Sequence, residues 1–144
     1  MDRISSTLRS DVMRRVRNRD TAPEISVRKV LHAMGFRFRL HACELPGKPD
    51  IVLPKWRTVI FVNGCFWHQH GGCPKAARPS SNVSFWNRKL DRNIARDRTN
   101  ISRLRATGWR PMTLWECHIN DTPAFRRRIG SFIRKARPCP TEPR

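Results

Sequence analysis

Acidic side chains are scarce in this sequence: 11 Asp and Glu stand against 30 Lys and Arg over 144 residues, a formal net charge of +19. Solubility needs far less charge than this, so the imbalance points to a polyanionic partner, with nucleic acid first. Long apolar runs are missing too. The longest, Val59-Ile60-Phe61-Val62, is far too short to cross a bilayer, and the N-terminus carries no apolar signal core. A cytosolic protein with no membrane partner is expected. Nor is there an even set of cysteines. Five thiols cannot be consumed by internal disulfides, which ranks metal binding above cross-linking. There is no internal repeat, and the length suits one domain.

Apolar periodicity divides the chain. Residues 1–20 read as a basic arm with a thin apolar stripe at Ile4, Leu8, Val12, Met13 and Val16. Thr21-Ala22-Pro23-Glu24 is a capping-box start with proline in the first turn. The helix it opens, with Ile25, Val30, Leu31 and Met34 inward, ends at Gly35. Strands are expected over 36–40, 50–53, 57–62 and 109–116, and a turn at Pro46-Gly47-Lys48-Pro49. A long helix is expected from about Ser84 to Thr107, with Trp86, Leu90, Ile94, Ile101 and Leu104 on one face and Arg and Lys opposite. A last basic helix runs over 123–135. The order α, β, β, β, α, β, α predicts an α/β fold, a small mixed sheet flanked by helices. The division is an arm (1–20), one domain (21–137) and a tail (138–144).

Chemistry concentrates in Asn63-Gly64-Cys65-Phe66-Trp67-His68-Gln69-His70-Gly71-Gly72-Cys73. Cys65, His70 and Cys73 supply three soft ligands within nine residues, and Cys117 follows the last strand. Together they would satisfy a tetrahedral, structural Zn²⁺. Spacing alone leaves His68 as an alternative to His70. Cys43 and Cys139 stand apart as plain thiols. Asp50, just after the turn and at the start of a strand, can present a carboxylate to a hard cation such as Mg²⁺, or can simply cap the strand. Asp97 falls on the apolar side of the long helix, where it must pair with an arginine or orient a histidine.

Several of these segments together resemble the very-short-patch-repair (Vsr) endonucleases: Pro46-Gly47-Lys48-Pro49-Asp50, Val59 through His68, Phe85-Trp86, Asn93, Arg96-Asp97-Arg98 and Trp115-Glu116-Cys117. The likeness runs in order from about Arg9 to Cys117. It implies a restriction-endonuclease-like (PD-(D/E)xK-type) fold that uses Mg²⁺ to nick duplex DNA on the 5′ side of the thymine in a T:G mismatch, the product of 5-methylcytosine deamination. It also implies a functional link to a cytosine-5 methyltransferase and to downstream repair enzymes, and a monomer confined to the cytoplasm and nucleoid.

Carried over residue by residue, the resemblance makes Asp50 and the backbone carbonyl of Val62 the Mg²⁺ ligands and His68 the general base. Glu24 becomes a contact to metal-bound water, although its capping role competes. Phe66, Trp67 and Trp86 become an aromatic wedge beside the mismatch, Met13 an insertion from the arm, and Lys89 and Asn93 base-edge contacts. The chain departs from many relatives at Val62-Asn63, where they have Thr-His. A carbonyl ligand tolerates Val, but Asn63 cannot shuttle a proton. Charge and aromatics alone leave two other readings open, a zinc-stabilised DNA-binding module without catalysis and a basic RNA-binding protein.

Overall fold

The computed structural model describes residues 20–136. The arm with Met13, apart from Asp20, and the tail with Cys139 lie outside the described residues. Within them the order of elements is α1 (Ala22–Ala33), β1 (Arg39–Leu40), β2 (Ile51–Leu53), β3 (Thr58–Asn63), α2 (Val83–Ala106), β4 (Arg110–Trp115) and α3 (Pro123–Arg134). This is the order expected from the sequence.

Thr21 caps α1 by accepting the Glu24 N–H, with proline in the first turn. The inward face is Val27, Val30 and Leu31, while Ile25 is 38% exposed. The expected stripe is thus rotated, because the buried carboxylate of Glu24 takes the position beside Val27. The strand expected over 36–40 shrinks to Arg39–Leu40. Phe36 instead turns into the core, edge-on to Trp56.

The four strands pair in the order β1-β2-β3-β4, the first two pairings antiparallel and β3·β4 parallel. A parallel pair needs a long crossover, and α2 provides it. Ile51, Leu53, Ile60, Met112 and Leu114 bury one face of the sheet against α1 and α3. Val52 and Val59 bury the other against Leu104 of α2. With helices on both faces, strands β2 and β3 read as nearly continuous apolar runs rather than as alternations.

Two registers bring distant residues together at one end of the strands. Ile51 faces Ile60 across the antiparallel pair, so Asp50 comes level with Phe61 and Val62. Asn63 faces Trp115 across the parallel pair, so Cys65 and Cys117 each emerge two residues beyond the same rung, at the same end of the sheet.

A candidate nuclease centre beside a Cys/His cluster

Asp50 is presented by the Pro46–Pro49 turn. Gly47 has φ +76°, and a Cβ there would stand 3.0 Å from Asn100 Cβ and 3.1 Å from Phe61 Cε1, so the turn lies pressed against β3 and α2. The carboxylate of Asp50 accepts the Val62 N–H at Oδ2 (2.7 Å). Burial raises its pKa to about 6; the Val62 hydrogen bond opposes this, the negative charge of Glu24 adds to it, and His41 and His68 pull it down. Glu24, His41 and His68 thus lie within electrostatic reach of Asp50, although they come from separate segments.

Glu24 is only 2% exposed. Its Oε2 accepts the Asp20 N–H (2.9 Å) and the Arg28 guanidinium (3.2 Å). Capping and membership of the site coexist in the one side chain. Arg28 also reaches Asp20 Oδ1 (2.7 Å) and the Nε2 of His41 (3.1 Å). Sequence reasoning passed over His41. Its signal was faint, a single histidine between a strand and a turn, yet its backbone N–H donates to the Asp50 carbonyl (3.1 Å). Asp20, Glu24 and His41 bring their ligand atoms within 4.8 Å of one another, but the Arg28 cation already sits among them.

His68 and Asp97 meet at 2.7 Å, Nδ1 to Oδ2. Of the two partners open to Asp97, it therefore has the histidine. Accepting from Nδ1–H, the carboxylate leaves Nε2 of His68 as the basic nitrogen. Asn63 is buried at the end of β3, 9% exposed.

Behind this centre lies the Cys/His cluster. Cys65, His70, Cys73 and Cys117 bring their ligand atoms within 4.8 Å of one another. Cys65 Sγ stands 3.7 Å and Cys117 Sγ 3.3 Å from His70 Nδ1, and Cys73 Sγ stands 3.9 Å from Cys117 Sγ. A tetrahedral ion with bonds of about 2.0–2.3 Å spaces its ligand atoms by roughly 3.3–3.8 Å, so the cluster could hold one. Burial pushes the Cys65 thiol up to about 11, a group that ionises readily only beside a cation. The His70 ring stacks on Trp115 at 4.3 Å. His70, and not His68, is the histidine brought to the thiols.

The intervening loop carries the aromatics. Phe66 and Trp67 pack edge to face at 5.1 Å, and both touch Trp86, at 5.6 and 5.9 Å. Trp86 is 7% exposed and forms the floor of the group, whereas Phe85 beside it is 52% exposed. Lys89 lies over Trp67, 5.3 Å from the ring centroid. Asn93 donates from Nδ2 to the Trp67 carbonyl (3.1 Å), so part of its amide is engaged within the protein.

Comparisons with known proteins agree with this architecture. The family model "DNA mismatch endonuclease Vsr" matches residues 1–74. The chain is 44% identical over 132 residues to the type II nicking enzyme V.XorIIP of Xanthomonas oryzae pv. oryzae, covering 92% of this chain and 96% of that one. It is 44% identical over 111 residues to the DNA mismatch endonuclease Vsr of Escherichia coli K12, covering 77% and 70%. In fold it is similar to the catalytic domain of the homing endonuclease I-Bth0305I, with a TM-score of 0.54 and 23% identity over 81% of this chain and 97% of that one. With a family model matching half of its length and relatives of 44% identity aligned along most of it, the chain belongs to the Vsr family of DNA endonucleases.

Proposed function

We propose that this endonuclease nicks duplex DNA on the 5′ side of the mismatched thymine of a T:G pair, so initiating very short patch repair of deaminated 5-methylcytosine. The observation that carries the reading is the proximity of Asp50, Glu24 and the His68–Asp97 pair at one end of the sheet, next to a loop bearing Phe66 and Trp67.

The donor set suits a hard divalent cation. Burial and the charge of Glu24 raise the pKa of Asp50 to about 6, and a carboxylate whose charged form is disfavoured in this way gains most when a cation neutralises it. Asp50 and the carbonyl of Val62 would hold Mg²⁺, with Glu24 contacting water around it. When bound, the ion polarises the scissile phosphate and lowers the pKa of attacking water. His68 would accept at Nε2 a proton of the attacking water as its oxygen bonds phosphorus and the phosphorus–oxygen bond to the neighbouring nucleotide breaks, the departing oxygen taking a proton from solvent, and Asp97 would balance the charge the ring then carries. Asn63 supplies a hydrogen bond but no proton transfer.

Zn²⁺ on Cys65, His70, Cys73 and Cys117 would be structural, since four protein ligands leave no open position. It would tie the loop to the end of β4 and stiffen the mount of the wedge. A T:G wobble stacks poorly, so opening the step there costs less than at a matched pair, and Phe66 and Trp67 can enter with Trp86 behind them. Lys89 and Asn93 would meet base edges, and the arm with Met13 the other groove. Residues 21–137 then act as one monomeric endonuclease domain, with the 138–144 tail outside it. A methyltransferase creates the need for the enzyme, and other repair enzymes complete the patch.

A panel of duplexes carrying single mismatches, incubated with Mg²⁺ or with chelator, tests this function. Metal-dependent nicking of T:G well above the other mismatches and the matched pair is expected. Equal nicking of matched duplex would defeat it.

A further inference from the structure

We propose that Arg78 is a positioning residue which, through Gln69, sets the stance of the Phe66–Trp67 wedge on helix α2 and thereby the discrimination between weak and fully stacked base steps. The inference rests on the wedge reading above. Nothing in the chemistry of the metal centre or of the thiol cluster uses Arg78, yet all three of its nitrogens are committed. Nε donates to Gln69 Oε1 (3.1 Å), one terminal nitrogen to Asn87 Oδ1 (3.0 Å) and the other to Asp91 Oδ1 (2.7 Å). Asn87 and Asp91 lie on α2 just after Trp86, one turn apart, so the planar fork grips one helix face.

Gln69 passes that grip to the loop. With its oxygen held by Arg78, its Nε2 donates to the Phe66 carbonyl (2.7 Å) and to the Ala76 carbonyl (3.1 Å). Its own backbone is left-handed, φ +53°, a conformation unfavourable for a side chain of this size and held only by its surroundings. Asn93 anchors the next carbonyl, that of Trp67, to the same helix. Both wedge residues are thus referenced to α2 by their backbones, independently of the ligands of the Cys/His cluster. The apparent alternative, a phosphate contact by a surface arginine, would leave the guanidinium nitrogens free for solvent and DNA; here the partly exposed fork already donates to three acceptors of the protein itself, Gln69, Asn87 and the exposed Asp91.

The test uses the full chain and its Arg78→Lys, Arg78→Met and Gln69→Ala variants. Single-turnover nicking with Mg²⁺ is measured on a T:G duplex and on its T:A counterpart, with 2-aminopurine next to the mismatch to report unstacking. Salt dependence of binding and melting temperature are measured alongside. Misplacing a positioned group by a fraction of an ångström costs about tenfold or more in rate. A loss of at least that size on T:G is expected for Arg78→Lys, with a reduced 2-aminopurine signal and a wild-type salt slope. Gln69→Ala should reproduce the loss, and the Gln69→Ala/Arg78→Lys double variant should be no slower than the slower single variant, because the two residues act in series. Wild-type rate and signal in folded Arg78→Lys and Gln69→Ala would overturn the proposal while leaving the enzyme's function intact. A flattened salt slope in Arg78→Met with normal unstacking would also overturn it, making Arg78 a phosphate contact. Failure of the wild type to prefer T:G would instead remove the function reading, and this inference with it.

Discussion

At the scale of the single residue, the proposed chemistry turns on Asp50. Its carboxyl has an ordinary pKa of 3.8 and is raised to about 6 in the fold, so the native state binds its proton more tightly than the unfolded chain does. Stability from this group is therefore present below pH 4 and is lost as the pH rises through 6. Metal-free protein should melt at lower temperature at pH 7 than the Asp50→Asn variant, and the gap should narrow toward pH 4. Added Mg²⁺ should raise the wild-type melting temperature at pH 7 and leave that of Asp50→Asn unmoved. Melting curves that are the same for both proteins across this range would count against the site. Asn63 offers the complementary test. If a histidine at this buried position assists the reaction in relatives, Asn63→His should speed single-turnover nicking by up to about 10²-fold, the span of one added acid-base group. An unchanged rate would reduce the position to a hydrogen-bonding contact.

Elements explain why residues so far apart in the chain meet. The parallel pairing of β3 with β4 puts Asn63 opposite Trp115, and the cluster of Cys65, His70, Cys73 and Cys117 follows from that register. Cys117→Ser should therefore leave less than half the zinc of the wild type after purification. Its melting temperature should fall by about 10 °C or more, since losing a structural metal site removes several kcal/mol. Full zinc occupancy in the variant, measured by metal analysis, would contradict the assignment.

This register also marks where sequence reasoning reached its limit. The caps and stops of α1 and α2 were legible at Thr21, Gly35 and Gly108, because capping and positive φ depend on local chemistry. The cysteines could be grouped by spacing and ligand type. The choice between His68 and His70, the partner of Asp97 and the presence of His41 beside Asp50 depended on contacts across α1, β2 and α2, which no local pattern encodes. The shortened β1 has a similar cause, since Phe36 gains more by entering the core than by extending a strand.

On the scale of the whole molecule, the charge is distributed by function. Of only 11 acidic residues, Asp20, Glu24, Asp50 and Asp97 gather around one site, while the exposed face of α2 is rich in Arg and Lys. In the proposed reading the basic surface would meet the DNA backbone, and the acidic cluster would hold the cation. Binding to matched duplex should weaken steeply with salt, log K falling by about 0.9 per phosphate neutralised for each tenfold rise in salt. The preference for T:G over matched DNA should change little, because phosphate contacts carry no sequence information. A preference that vanished along with binding as salt rose would mean that charge, and not the aromatic loop, was sensing the mismatch.

The central proposal is that the site around Asp50 and His68 cuts one strand at one place. A duplex with a single T:G pair, end-labelled on each strand in turn and incubated with Mg²⁺, tests it directly. The wild type should give one nick, on the thymine strand at the 5′ side of the mismatched thymine, absent with chelator and absent in Asp50→Asn and His68→Ala. Nicks on both strands, a nick elsewhere, or persistence of the nick in Asp50→Asn would contradict the account.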